Sequence, residues 1–127
     1  MMKTSISASV LDSRTRFRVQ IKHAVAIGPG KADVLQAIAE TGSISQAGRR
    51  LGMSYQRVWS LVRAMNCNFV EPLVETQRGG TAGGGARLTA TGVRVLTTYR
   101  EIERDAQRAV AKRLPQLLAL IRSGSGD

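Results

Sequence analysis

The order of apolar and polar positions predicts four helices from Lys31 onward. Apolar residues recur three or four positions apart in each segment, which is the spacing that brings them to one helix face. The predicted helices are Lys31–Thr41, Gln46–Leu51, Ser54–Asn66 and Ala90–Arg113. Their inward faces comprise Val34, Leu35, Ile38 and Ala39 in the first, Ala47 and Leu51 in the second, and Val58, Leu61, Val62 and Met65 in the third. We expect Pro115 to kink the last helix or to begin a short one ending at Ile121.

Shorter segments have the pattern of β-strands. Thr15–Lys22 places Phe17, Val19 and Ile21 at alternate positions, which is typical of a half-buried strand. Two strand-like pieces follow later and flank seven residues, of which five are glycine. These pieces are Leu73–Arg78 and Ala86–Thr89. The glycine-rich segment is the tip of a hairpin in our interpretation, with a flexible linker as the alternative.

The two middle helices are predicted to be joined by a tight turn. We expect Ser45 to cap the first and Ser54 to cap the second, because a serine hydroxyl accepts a hydrogen bond from a free helix N–H. Gly52 stands in the turn, where a left-handed backbone is easiest without a Cβ. A capped short helix, a tight turn and a second capped helix predict a helix-turn-helix.

The second of these helices separates polar from apolar residues. Gln56, Ser60 and Arg63 project away from the apolar stripe, and Arg57 and Trp59 lie at its flanks. Such polar groups can address base edges and phosphates. The helix N-terminus, with Ser54 and Tyr55, also favours an anion. For Trp59 we favour packing at the edge of the core, because a large apolar ring is usually buried.

Composition adds a strong charge imbalance. The chain has 19 Lys plus Arg against 9 Asp plus Glu, a net charge of +10. No acidic residue lies between Glu40 and Glu71, nor between Glu75 and Glu101, whereas each interval holds four arginines. A polyanionic partner explains this pattern better than a solubilising surface, which usually mixes both signs.

Several classes of protein are excluded or disfavoured. No stretch between formal charges exceeds eight residues, so a membrane span of about 20 apolar residues is not expected. The first residues do not have the pattern of an export signal, so we expect the protein in the cytoplasm. The single cysteine, Cys67, and the single histidine, His23, exclude a thiolate or His-rich metal site. Because no nucleophile, base and acid can be grouped around them, we expect no enzyme activity.

The last predicted helix suggests self-association. It is longer than the small core before it can cover, so a partner helix in a homodimer is the simplest explanation. Packing back along its own domain is the alternative. The apolar positions that we assign to dimerisation are Leu96, Tyr99, Ile102, Ala106, Val110, Leu114, Leu117 and Ile121.

The central segment contains a set of short motifs, which are Gly42-Ser43-Ile44-Ser45, Gly52-Met53-Ser54-Tyr55, Gly79-Gly80, Gly83-Gly84-Gly85-Ala86 and Leu88-Thr89. With these motifs, the segment from about Phe17 to Glu103 resembles the N-terminal DNA-binding domain of ModE-type molybdate-responsive regulators. The resemblance implies a winged helix-turn-helix close to that of LysR-type regulators, dimerised through the long helix. Ser54–Arg63 would be the recognition helix, with Arg78–Arg87 as the wing.

Molybdate sensing is not expected from this sequence. Members of the resembling family continue into a C-terminal molybdate-binding region, and the sequence ends at Asp127 without one. We therefore expect no cofactor in this chain, because only the resemblance points to molybdate. We expect a separate protein to act as the sensor.

We predict a mainly α protein with a small β-wing, namely a winged helix-turn-helix followed by a long dimerisation helix. The predicted units are a flexible arm (1–14), the DNA-binding domain (15–89), the long helix (90–122) and a disordered tail (123–127). The predicted contacts to double-stranded DNA are Ser45, Gln46, Arg49, Arg50, Ser54, Tyr55, Gln56, Arg57, Ser60, Arg63, Arg78, Gly79, Gly80, Thr81 and Arg87.

The function we expect is a homodimeric, sequence-specific transcription regulator, a repressor acting on an inverted-repeat operator. The resemblance points to genes of molybdenum uptake or molybdoenzymes. Two alternatives stay open, a non-specific nucleoid-type protein and an oxyanion sensor that binds molybdate or tungstate at the dimer interface.

Overall fold

Short strands and longer helices alternate in the computed structural model, which describes residues 18–21, 24–77 and 85–122. Within these ranges the chain forms four strands and four helices. In chain order they are β1 (Val19–Ile21), β2 (Ala24–Ile27), α1 (Pro29–Thr41), α2 (Ile44–Leu51), α3 (Tyr55–Asn68), β3 (Val74–Gln77), β4 (Gly85–Leu88) and α4 (Ala90–Leu118). The arm at 1–14, the tail at 123–127, Phe17, Lys22 and His23 lie outside the described residues.

An antiparallel hairpin of β1 and β2 precedes the helices. The strand predicted at Thr15–Lys22 is present as β1, where Val19 is half-buried beside exposed Gln20. The second strand was not predicted, because its run of alanine and valine shows no alternation with polar residues. The two strands pair in a register that places Val19 opposite Ile27, with an irregularity between Val19 and Gln20.

The helix-turn-helix is formed by α2, α3 and the turn between them. Gly42 and Gly52 end α1 and α2 with φ of +74° and +69°, the left-handed conformation that favours glycine. Ser54 caps α3 as predicted, since its Oγ accepts from the N–H of Arg57 at 3.0 Å. The predicted cap at Ser45 is wrong. Ser43 caps α2 instead, accepting from the N–H of Gln46 at 3.1 Å, and α2 begins earlier, at Ile44.

One apolar core joins the three helices, the wing strands and the start of α4. The largest fully buried side chains come from α1, α3, α4 and the segment before β3. They are Val34, Leu35, Ile38, Val58, Val62, Met65, Leu73 and Tyr99. Leu61 and Leu51 are partly buried against this core, as predicted for their faces. Ala39 is exposed, contrary to prediction, and Ala37 is buried instead. The buried face of α1 therefore extends to the side of Ala37 rather than to the side of Ala39.

The long helix α4 is continuous from Ala90 to Leu118. The expected end at Arg113 and the start of a new short helix at Pro115 are wrong, because the helix runs through Pro115 for three further residues. A kink at Pro115, the other alternative, stays a prediction. Its 29 residues give it a length of about 43 Å at 1.5 Å per residue. The first part of α4 is attached to α1 by an ion pair between Arg100 and Asp33 at 3.1 Å. Arg100 also bonds Glu103 of α4 itself at 2.9 Å.

The beginning of α4 packs directly on the backbone that leads into β3. A Cβ added at Gly92 would lie 2.1 Å from the carbonyl oxygen of Leu73, well inside van der Waals contact. The same carbonyl accepts a hydrogen bond from the N–H of Thr89 at 2.9 Å. This close approach requires a residue without a side chain at position 92.

Gly92→Ala is expected to lower the free energy of unfolding by at least about 2 kcal/mol, because the new methyl group must displace backbone on both sides. Urea denaturation followed by circular dichroism measures the change. Gly30→Ala is the matched control, since a Cβ at Gly30 meets nothing within 4 Å. The control should stay within about 1 kcal/mol of the unsubstituted protein. Equal stability of both variants would contradict the close packing at Gly92.

Candidate nucleic-acid interface

The helix α3 presents one apolar and one polar face, as the sequence predicts for a recognition helix. Its inward residues Val58, Val62 and Met65 are completely buried. On the opposite side the polar side chains are exposed, and they include Gln56, Arg57, Ser60 and Arg63. Because the buried face holds the helix rigidly, the exposed face forms a fixed surface of hydrogen-bond donors and acceptors.

The N-terminal end of α3 is open to solvent. Ser54 and Tyr55 are exposed, and the ring of Tyr55 keeps 53% of its surface accessible. Only one of the free N–H groups of the first turn is satisfied by the Ser54 cap, that of Arg57. The remaining groups carry the positive end of the helix dipole, which favours an anion such as a phosphate.

The helix α2 contributes a second polar edge. Ala47 and Gly48 are buried, so that Ser45, Gln46, Arg49 and Arg50 lie on the solvent side. A Cβ at Gly48 would meet the carbonyl oxygen of Met53 at 2.7 Å, which shows how closely α2 approaches the turn. All four predicted contact residues of α2 are therefore exposed beside α3.

Two of the predicted cationic contacts already face carboxylates. Arg50 forms an ion pair with Glu40 of α1, and Glu40 also accepts from Gln36 at 2.8 Å. On the wing strands, Arg87 lies 3.6 Å from Glu75. Both pairs are half-exposed or more, where an ion pair is weak and a phosphate can compete for the cation.

The wing, which consists of β3 and β4, is fixed to the recognition helix by Asn66, to which the sequence analysis assigned no role. Its Oδ1 accepts from the N–H groups of Leu73 at 2.8 Å and Val74 at 3.2 Å, and its Nδ2 donates to the Val74 carbonyl at 3.2 Å. No periodic pattern marks such a residue, because its partners are backbone groups seven and eight positions away.

The strands β3 and β4 pair antiparallel, with Val74 opposite Leu88 and Gln77 opposite Gly85. The N–H of Ala86 donates to the carbonyl of Gly42 at 3.0 Å, which fixes β4 against the turn between α1 and α2. Arg87 is exposed on β4. The predicted wing contacts Arg78, Gly79, Gly80 and Thr81 lie outside the described residues.

Aromatic and cationic side chains follow one edge of α3. The rings of Tyr55 and Trp59 meet edge to face, with centroids 6.4 Å apart and planes at 76°. The guanidinium carbon of Arg63 lies 5.9 Å from the centroid of the Trp59 ring. Trp59 is partly buried against the core, in agreement with the packing expected for it.

The residues assigned to dimerisation fall into two groups along α4. Leu96 and Tyr99 lie in the core of this chain, where burial chiefly, together with the Glu103 carboxylate, raises the pKa of Tyr99 to about 12. These two side chains are thus covered by their own domain. Ile102, Ala106 and Leu114 are partly exposed, and Val110, Leu117 and Ile121 are 42%, 56% and 51% exposed.

An open groove of about 670 Å³ lies beside the first half of α4. Its walls come from the β1–β2 hairpin, the end of α3 and α4 itself, and they include Phe69, Val95 and Ile102. At Ile102 this groove adjoins the partly exposed apolar residues of α4.

The described part of the chain holds no group of three His, Cys, Asp or Glu residues that could bind a metal ion. Cys67 is exposed as a free thiol near the end of α3. None of the described helices is long and apolar enough to cross a membrane.

Comparison with known proteins shows what this chain is similar to. The model of the bacterial regulatory helix-turn-helix proteins of the LysR family matches residues 31–93, from α1 to the first turn of α4. Two solved structures have the same fold. The CbnR DNA-binding domain in complex with DNA matches with a TM-score of 0.56 and 25% identity, over 69% of this chain and 95% of that chain. Full-length CbnR with its target DNA gives 0.52 and 25% identity, over 65% of this chain and 27% of that chain.

Several curated proteins are also similar to this chain. The molybdenum-pterin-binding protein MopB of Rhodobacter capsulatus is 44% identical over 77 residues, which are 61% of this chain and 28% of MopB. The molybdenum transport protein ModE of Herbaspirillum seropedicae is 38% identical over 95 residues, 70% of this chain and 35% of that protein. The DNA-binding transcriptional dual regulator ModE of Escherichia coli K12 is 38% identical over 81 residues, 64% and 31% respectively.

The chain thus spans about a third of the length of these relatives. The comparisons confirm the winged helix-turn-helix with its long C-terminal helix, and the resemblance to the ModE-type DNA-binding domain. They also confirm that the chain is not an enzyme, because the matching family consists of regulatory DNA-binding proteins.

Glu40→Gln is expected to strengthen binding to random-sequence DNA about two- to fivefold at low salt, because it releases Arg50 from its ion pair. The slope of log K against log salt should steepen by about one, the contribution of one further phosphate contact. Fluorescence anisotropy over a salt series measures both. Glu101→Gln on α4 removes the same charge away from α2 and is the control. An equal gain in both variants would show that net charge alone acts.

Proposed function

We propose that this chain, which carries a LysR-type helix-turn-helix in a ModE-type DNA-binding domain, is a sequence-specific regulator of transcription. It acts as a homodimer on an inverted repeat in the cytoplasm and represses the genes that it binds. The observation that carries this proposal is the exposed polar face of α3, which lies opposite the completely buried Val58, Val62 and Met65.

Each exposed group on α3 has a chemistry suited to duplex DNA. The amide of Gln56 can pair bidentately with adenine, and the guanidinium of Arg57 with guanine, through the major-groove edges of these bases. Both lie in the first turn of α3, and a recognition helix contacts base edges with its N-terminal residues. Ser60 follows one turn later on the same exposed side. We assign base recognition to these three residues.

The flanking elements supply contacts to the phosphate backbone. Arg49 and Arg50 on α2 and Arg87 on β4 are exposed on elements fixed to α3 through the core. Ser45, Gln46, Ser54 and Tyr55 add neutral hydrogen-bonding groups at the same edge. We expect Arg78, Gly79, Gly80 and Thr81 to extend this surface along the wing. Such contacts position the protein without reading sequence.

The outer half of α4 supports the homodimer. Val110 and Leu117 expose apolar surface along one side of this helix, and Ile121 exposes more just beyond its end. Such surface is unfavourable in water unless a partner covers it. A second copy offers the same stripe by symmetry, so that the two helices can pair. Two recognition helices related by this axis would enter major grooves about 34–36 Å apart.

The names of the relatives suggest which genes are regulated. Curated relatives are named for molybdenum transport, for molybdenum-pterin binding and for transcription regulation. We therefore propose operators near genes of molybdenum uptake or molybdoenzymes, with the signal supplied by a separate sensor protein. An oxyanion sensor is the second candidate, and calorimetry with molybdate or tungstate distinguishes it. A flat titration would exclude that candidate.

Selection of bound duplexes from a random pool, at near-physiological salt, is expected to yield a palindromic consensus. The reason is that two symmetric recognition helices read the same half-site on opposite strands. Sequencing of the bound pool measures the enrichment. Binding that is lost as salt rises, with no enriched sequence, would contradict a specific regulator and favour a nucleoid-type protein.

The selected duplex then separates base contacts from phosphate contacts. Arg57→Ala should weaken binding to the consensus about tenfold or more and leave random DNA nearly unchanged. Arg49→Ala is the matched variant on α2, and it should weaken both duplexes to the same degree. Equal losses for Arg57→Ala on both duplexes would assign Arg57 to phosphate.

Leu117→Glu is expected to convert the dimer to a monomer at micromolar concentration, because it places a charge in the apolar stripe of α4. Sedimentation velocity measures the assembly, and affinity for the palindrome should fall about a hundredfold as the two half-sites are no longer bound together. Gln116→Glu adds the same charge at an exposed position away from the stripe. A dimer that survives Leu117→Glu would exclude this face of α4 as the interface.

A further inference from the structure

The three residues Tyr55, Trp59 and Arg63 form a ladder on α3, which we call the aromatic ladder. They are four positions apart, the spacing at which helical side chains lie one above the other. The Tyr55 ring meets the Trp59 ring edge to face, and the Arg63 guanidinium lies within cation–π distance of the same indole. Trp59 is the only tryptophan in the sequence.

The two ends of the ladder differ from its middle in burial. Trp59 is partly buried and packs against the core, so its ring is held in one position. Tyr55 and Arg63 are exposed on either side of it. An arginine in water samples many rotamers, and ordering one costs free energy when it binds a ligand. Contact with a fixed ring restricts those rotamers before the ligand arrives.

The guanidinium keeps its donors available in this arrangement. A cation–π contact uses the face of the guanidinium or its positive charge, whereas phosphate oxygens are bound by the N–H groups at its edge. Arg63 lies eight residues beyond Tyr55, about 12 Å further along the helix axis. A recognition helix contacts base edges near its N-terminus, and its C-terminal end lies closer to the DNA backbone.

We propose that Trp59 is a positioning residue that holds Arg63 ready for a DNA phosphate, with Tyr55 supporting the indole from the other side. This proposal rests on the proposed function of α3 in DNA binding. In this proposal Trp59 contributes to DNA binding as well as to packing. Arg63 contacts a phosphate of the DNA backbone rather than a base.

The geometry is tested first in the free protein. Protons of the Arg63 side chain should be shifted upfield in NMR spectra by the ring current of the indole. Trp59→Leu should abolish this shift while keeping apolar packing, and Trp59→Phe should retain part of it. Unchanged Arg63 signals in Trp59→Leu would overturn the proposal, whether or not the protein binds DNA.

The consequence for binding is tested by a double-mutant cycle with Trp59→Leu and Arg63→Ala. We expect Trp59→Leu to weaken DNA binding about two- to fivefold, the size of an exposed cation–π contact. In the Arg63→Ala background the same substitution should have almost no effect. The coupling should be equal on consensus and random duplexes, because phosphates are common to both.

Arg49→Ala supplies the control cycle. Arg49 is an exposed arginine on α2, so its loss should simply add to that of Trp59→Leu. Additive losses for Trp59→Leu and Arg63→Ala, in a protein that binds DNA, would overturn this inference alone. Failure of the unsubstituted protein to bind any duplex would overturn the proposed function together with it.

Discussion

The backbone at Leu73 is the point on which the arrangement of recognition helix, wing and long helix depends. Its N–H donates to Asn66 at the end of α3, and its carbonyl accepts from Thr89 at the start of α4. Its side chain is completely buried, and Gly92 allows α4 to approach the same carbonyl. Because one residue is held from three sides, the wing strands leave the core in a fixed direction relative to α3.

This constraint makes a single surface from elements that are distant in sequence. The hydroxyl of Thr89 caps α4 through the N–H of Gly92 and also bonds the Pro72 carbonyl, while Ala86 bonds Gly42. Apart from Tyr99 with its phenolic hydroxyl, the buried side chains of the described residues are all apolar. The arginines therefore lie on the outside of a rigid apolar body, where their positive charge is available to a polyanion.

The long helix divides into an inner and an outer part for a similar reason. Near its start, Leu96 and Tyr99 complete the core, and Arg100 bonds Asp33 of α1. Beyond Ile102 the domain no longer covers α4, and apolar residues reach the surface. The apolar stripe of α4 thus completes the core along the first part of the helix and lies at the surface along the rest. The size of the domain decides where the first part ends.

The sequence by itself determined the elements whose signals are local. Helical periodicity marked α1, α3 and the buried stripe of Val58, Val62 and Met65, because each turn repeats the same choice of face. Gly52 and the Ser54 cap marked the turn, since both act within three residues. Acid-free intervals indicated a polyanionic partner, and family motifs added the winged fold.

Only the tertiary structure determined the features that depend on contacts between residues distant in sequence. The run of alanine, valine and isoleucine in β2 does not alternate with polar residues, and it becomes a strand by pairing with β1. The bonds of Asn66, and the Arg50–Glu40 pair ten positions apart, leave no periodic trace. Leu96 and Tyr99 look like any other apolar position of α4, and the packing of α1 against them is what buries them. Periodicity specifies the face of an element, whereas the partner of that face is a property of the assembled chain.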